Sequence, residues 1–229
     1  MTRSPRAPFV RLTAISLCAV LALLASACGS SQSAIGPSGL AAATRTSDTW
    51  PLADHVVSPA GFPGFVLRRP LSVVSSALAW TAVERAPFPA AEAARLKAFG
   101  FVRGLDEQLY GRFPIAAEVI SVVEQYRTTA GARAELAYQH ARLMDPRGGT
   151  MSTFPVGIPG AHGVRIAGGG STGLNVLFSA GAYYYVVAAG HPPGARSAPT
   201  TRQLVAAADS LYLAVTGCAA PDPGRPPAA

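Results

Sequence analysis

From Phe65 onward the apolar positions change period several times, and each change predicts an element. Phe65-Val66-Leu67-Arg68-Arg69 reads as a short strand, and Ser72–Glu84 carries enough apolar positions (Val73, Val74, Ala77, Leu78, Trp80, Ala82) to read as a helix. Pro89–Phe99 is a clearer helix. Pro89 suits a first turn, Glu92 lies near the positive end, and Gly100 can take the left-handed stop. Phe101–Tyr110 follows as a strand. Ala116–Arg127 places Ala117, Val119, Ser121 and Val123 on one face and Glu118, Ile120, Val122, Glu124 and Tyr126 on the other. Both faces are apolar in the middle, which predicts a central strand. Thr128 or Thr129 then caps a helix to about Met144, with Ala132, Leu136, Tyr138 and Leu143 at helical spacing. Gly163–Ala167 is a further strand, and Leu174–Phe178 and Tyr183–Ala189 form a hairpin across Ser179-Ala180-Gly181-Ala182. A last helix starts at Thr200 or Thr201, carries Leu204, Ala208, Leu211, Tyr212 and Val215 on one face, and stops at Gly217. The fold class is α+β: an antiparallel sheet of about five strands with helices packed on it.

The first part of the chain follows another pattern. Arg3, Arg6 and Arg11 precede an uncharged run from Leu12 to Ala27, and the run exits through small residues. That is the layout of an export signal. Ala25-Ser26-Ala27-Cys28 resembles the bacterial lipobox, in which the cysteine receives diacylglycerol and the signal is cut before it. It departs from the usual motif in having Ala25 three places before the cysteine, with Leu24 one place too early. An ordinary cut at Ala-Ser-Ala would fall at the same bond and leave Cys28 a free thiol. Gly29-Ser30-Ser31-Gln32-Ser33 reads as a tether and favours the lipoprotein. The expected organisation is a signal over 1–27, a flexible arm over 28–50, one domain over 51–217 and a Pro- and Gly-rich tail over 218–229. The expected location is the extracytoplasmic face of the cell membrane, through lipid on Cys28.

Composition narrows the partners. Losing the three signal arginines lowers the formal net charge from +7 to +4. The basic residues are arginines except Lys97, and they are scattered, with Arg68-Arg69 the one adjacent pair. The chain has no basic run of the kind that binds nucleic acid. Cys18 leaves with the signal and Cys28 is acylated, so Cys218 stands alone and the domain holds by burial. An unacylated Cys28 would reopen a Cys28–Cys218 bridge.

Several motifs bear on chemistry. Gly168-Gly169-Gly170-Ser171-Thr172-Gly173 matches both the dinucleotide pattern G-x-G-x-x-G and, over Gly169–Gly173, the hydrolase pattern G-x-S-x-G. Both need a helix next. Leu174-Asn175-Val176-Leu177-Phe178 is strand-like instead, and no histidine follows Asp209 to complete a Ser, Asp, His order, so a glycine-rich hairpin is expected. His55, His140, His162 and His191 have no i+4 histidine partner, and no metal site is expected. Asp106-Glu107 lie together, and Glu118 and Glu124 share a strand face about 20 Å apart, too far for one reaction. They are expected on solvated edges or beside arginines. Tyr183-Tyr184-Tyr185 alternates across the final hairpin, so one face is core and the other can be a ligand platform. The ligand-binding candidates are therefore Tyr184, His162 and His191. No catalytic residue and no cofactor is expected.

The stretches Phe99-Gly100-Phe101-Val102-Arg103-Gly104, Ala130-Gly131-Ala132, Gly157-Ile158-Pro159-Gly160-Ala161, Asn175-Val176-Leu177-Phe178 and Gly181-Ala182-Tyr183 together resemble the small α+β domain of actinobacterial cell-envelope lipoproteins of the Lpq type, similar to the PsbP-like fold. The resemblance spans about Pro89 to Cys218. It implies a fold and an address and transfers no catalytic residue. The function expected is a non-enzymatic envelope module binding a small apolar ligand or another envelope protein. The alternatives are an envelope hydrolase and a structural surface lipoprotein.

Overall fold

The computed structural model describes residues 52–68, 71–112, 117–145, 149–191 and 198–217. The export segment, Cys28, the arm, Cys218 and the tail lie outside the described residues. The elements run β1 (Phe65–Leu67), β2 (Val73–Val74), α1 (Ala77–Val83), α2 (Pro89–Phe99), β3 (Phe101–Gly111), β4 (Glu118–Tyr126), α3 (Thr129–Leu143), β5 (Thr150–Phe154), β6 (His162–Gly168), β7 (Ser171–Ala180), β8 (Tyr183–His191) and α4 (Thr201–Thr216). All strand pairings among them are antiparallel, in the order β1-β3-β4-β8-β7-β6-β5, with β2 also on the β3 edge.

The α+β class holds, but among the described residues the sheet has eight strands rather than about five. Two of the additions are short or polar. Val73-Val74, expected to open a helix, is a short strand opposite Leu105 and Gly104 instead, as suits two β-branched residues. The helix begins only after Ser76, whose hydroxyl accepts from the Ala79 amide. Thr150–Phe154 forms the far edge strand against β6. The glycine segment is a hairpin turn, as expected. Gly168 pairs with Ser171, and Gly169 and Gly170 both take positive φ (58° and 80°), which suits a tight two-residue connection.

Helices cover both faces of the sheet. On one face α4 and the 3-10 turn Leu52–His55 pack over Leu105, Leu109, Val119, Val123, Val176, Phe178, Tyr185 and Val187. On the other, α1, α2 and α3 pack with Phe101, Tyr126, Val164, Leu177 and Tyr184. Trp80 of α1 lies flat on the sheet at Gly104, where an added Cβ would come within 2.8 Å of the indole. Among the described residues no helix is long and apolar enough to cross a membrane.

Candidate functional site

Register and alternation fix which side chains share the face under α1–α3. Four rows cross it: Tyr110, Glu118, Gly190, Gly173 and Ile166; then Gln108, Ile120, Ala188, Asn175 and Val164; then Asp106, Val122, Val186, Leu177 and His162; then Gly104, Glu124, Tyr184 and Ser179. The last row is sealed by helices except at Ser179, whereas in the first two Tyr110, Gly190, Ile166, Gln108 and Ile120 stay half-buried.

The sealed end holds an acidic network. Glu124 is 0% exposed and accepts from Trp80 Nε1 at 2.7 Å and from the Tyr126 hydroxyl. On α3 the buried Glu135 pairs with Arg95 of α2 and accepts from Gln139 Nε2 at 2.7 Å. Arg95 also meets Glu92 at 2.8 Å and lies 3.9 Å over the Tyr138 ring. Glu92 in turn takes Tyr138 Oη at 3.1 Å and Arg142 at 3.3 Å. Glu84, capping α1, is the third carboxylate of the inner group. Burial, then the charge on Glu135, pushes Glu84 up to about 7 despite its hydrogen bond with Glu124. Burial, then Glu135 and Glu84, pushes Glu124 well above the usual carboxylate range. Burial alone would raise Glu92 too, but its bonds to Arg95 and Tyr138 outweigh it and hold that carboxyl low. Glu84 and Glu124 thus keep a proton to pH values where free carboxylates have lost it.

This corrects one expectation. Glu124 is on no solvated edge, and its partners are an indole and a phenol. Glu118 is also buried (6% exposed), near Arg68 and hydrogen-bonded with Tyr110. Arg68 donates to the Tyr110 hydroxyl and stacks on its ring. Of the adjacent pair, Glu107 is buried on the opposite face and Asp106 is half-buried on this one.

Toward Glu118 the face opens. β4 and β8 are central strands, yet Ile120, Val122 and Val186 are only half-buried on this side, Val122 and Val186 against the helix-side core. On the other side of β4, Val119, Ser121 and Val123 have no exposure. Ile120 packs into neither core. The result is an apolar floor bordered by Asp106, Gln108, Tyr110 and Glu118.

The three ligand candidates are not brought together there. Tyr184 is 1% exposed inside the core under the helices, so it offers no platform. Its neighbours serve the opposite core: Tyr185 is fully buried, its hydroxyl bonded to His55 Nδ1 at 2.7 Å, and the His55 ring stacks on Tyr183 at 4.5 Å. Burial lowers the His55 pKa. Both faces of the tyrosine run are thus packed. His162 stacks on His140 at 3.7 Å and 5°, and burial, then the His140 charge, lowers its pKa. His191 pairs with Thr172 at the end of β8, half-exposed and away from the other two. Ser171 lies in the hairpin with β7 after it. A groove of about 380 Å³ lies beside α3, lined by Arg133, Leu136, Pro159, Gly160 and Ser179. Among the described residues no group of three or more His, Cys, Asp or Glu can hold a metal. Sequence reasoning missed the open floor, because alternation alone does not say where a covering helix stops.

No family model matches the chain, and no curated protein matches it. Among solved structures it is similar to the extracellular domain of PknH from Mycobacterium tuberculosis. Identity is 12% and the TM-score 0.46, over 77% of this chain and 97% of that one.

Proposed function

We propose that this chain is a non-enzymatic binding module of the cell envelope, held at the outer face of the membrane by lipid on Cys28, with the open end of the helix-side sheet face as its ligand surface. The observation that carries the binding reading is the half-exposed floor of Ile120, Val122 and Val186 on central strands, rimmed by polar side chains. Pockets that hold small ligands share that make-up: apolar lining with a few placed polar groups. The address rests on Arg3, Arg6 and Arg11, the uncharged run after them and the lipobox-like exit.

Both halves are testable on the full chain extracted in detergent. Labelled fatty acid enters the wild type and not Cys28→Ser; equal labelling of the two would overturn the anchor. Native mass spectrometry after incubation with envelope extract shows a bound mass on the wild type. Ile120→Arg, a change at a half-exposed position, removes it. A wild type that gains no mass would leave a structural lipoprotein, and retention by Ile120→Arg would move the site elsewhere.

A further inference from the structure

In the two rows that carry Gly190 and Gly173, two buried polar atoms have no hydrogen-bond partner among the described residues: Oε1 of Glu118 and Nδ2 of Asn175, on residues 6% and 2% exposed. Native proteins leave few such atoms orphaned, because each has given up water for nothing. Between them the sheet surface is bare. Glu118 faces Gly190 across β4–β8, and Gly190 faces Gly173 across β8–β7. A Cβ added at Gly190 meets nothing within 4 Å, and one at Gly173 meets only the Asn175 amide nitrogen, at 4.0 Å. With strands about 4.8 Å apart, Glu118 and Gly173 stand roughly 10 Å apart across this hollow. Ala188 and Ile120 form its inner edge, and Gln108 and Tyr110 lie beyond Glu118 in the same two rows.

From this juxtaposition we infer that the glycine hollow binds a neutral polyhydroxylated ligand, a sugar unit, hydrogen-bonded between the Glu118 carboxyl and the Asn175 carboxamide. The inference rests on the binding reading above and supplies its ligand class. The orphans are one acceptor and one donor, and a hydroxyl can satisfy either. A cationic ligand would meet Arg68 and Arg85, whose charges already act on Glu118. An anionic ligand would meet the Glu118 carboxyl, and Arg68 is engaged with Tyr110. A sugar also presents a C–H face, which Ile120 can accept, while its hydroxyls reach the polar rim.

The test is saturation-transfer NMR on the full chain, in a detergent without a sugar headgroup. The probes are neutral hexoses, pentoses and their disaccharides, with glucosamine and glucose 6-phosphate as charged counterparts. Neutral sugars bind with Kd about 1 mM or tighter. Gly190→Val fills the hollow and weakens binding at least about tenfold, a loss of about 1.4 kcal/mol. Its melting temperature does not fall, since the space is open and valine suits a strand. Gly173→Ala gives a smaller loss of the same kind. No binding of neutral sugars, preference for either charged probe, or full binding by a folded Gly190→Val would each overturn the inference. A mass bound in the native spectra together with silence toward sugars would sink the ligand class and leave the binding module standing.

Discussion

Glu124→Gln should turn a pH-sensitive core into a less sensitive one. The wild-type network sets Glu84, Glu124 and Glu135 near Arg95, which pairs with Glu135, beneath Trp80 and beside Tyr184. Glu84 and Glu124 both bind a proton more tightly folded than unfolded. Their contribution to stability is therefore complete below the unfolded value near 4.5 and is lost as pH rises through the folded value, about 7 for Glu84. For Glu84 the displacement from 4.5 to about 7 is worth on the order of 3 kcal/mol between pH 4.5 and pH 8. The amide that replaces the carboxylate keeps an oxygen for Trp80 Nε1 and removes one negative charge from beside Glu84. The stability difference between variant and wild type should thus move in the variant's favour by about 1–3 kcal/mol from pH 5 to pH 8. His55 and His162, held low, favour folding less as pH falls through 6.5, and Glu92 acts below 4.5. Those terms are common to both proteins and cancel in the difference. Urea unfolding followed by circular dichroism at the two pH values measures it. A difference that does not change with pH, or one that moves in the wild type's favour as pH rises, would refute the assignment of a shared buried proton.

Two further changes test the frame. Gly131→Ala puts a Cβ 2.0 Å from the Phe99 carbonyl oxygen, so α3 must lift off the end of α2; the loss should be about 3 kcal/mol or more in denaturant titration. Thr200→Ala removes a capping box in which the Thr200 hydroxyl accepts from the Gln203 amide at 3.2 Å and Gln203 Oε1 accepts from the Thr200 amide at 2.9 Å. It should cost about 1 kcal/mol, read as a melting point lower by about 2–4 °C.

What the sequence shows of this fold is what local chemistry determines. Pro89, Thr128, Thr200, Gly100 and Gly217 stand at the helix ends where capping rules put them, and both terminal glycines are left-handed. β3 and β4 match their predicted spans to within two residues. Thr150–Phe154 escaped because Thr150, Ser152 and Thr153 give an edge strand no apolar run to announce it. The acidic network escaped for a different reason. Trp80 and Glu124 are 44 positions apart, and His55 and Tyr185 are 130 apart. A carboxylate on a strand reads as solvent-facing until the register sets it beneath an indole. Tyr184 misled in the opposite sense, because alternation gave its face correctly but not the helices that cover it.

Element lengths explain why one face of the sheet is sealed and the other is not. β3 has 11 residues, about 36 Å of strand at 3.3 Å per residue, whereas α1 has 7, about 10 Å of helix. On the helix side α1 is the principal direct cover over β3, since α2 packs chiefly on α1 and α3, and α3 lies over β4, β7 and β8. The opposite face has α4, 16 residues long, together with the packed stretch that includes Leu52, Val56, Val57 and Phe62. A long strand under a short helix leaves sheet that no described helix covers. There, aliphatic positions such as Ile120 stay half-exposed, glycines at 173 and 190 raise no side chain, and Glu118 and Asn175 keep polar atoms that the described chain does not satisfy. The short α1 therefore leaves the Glu118 end of this face without the helical cover that the Glu124 end has.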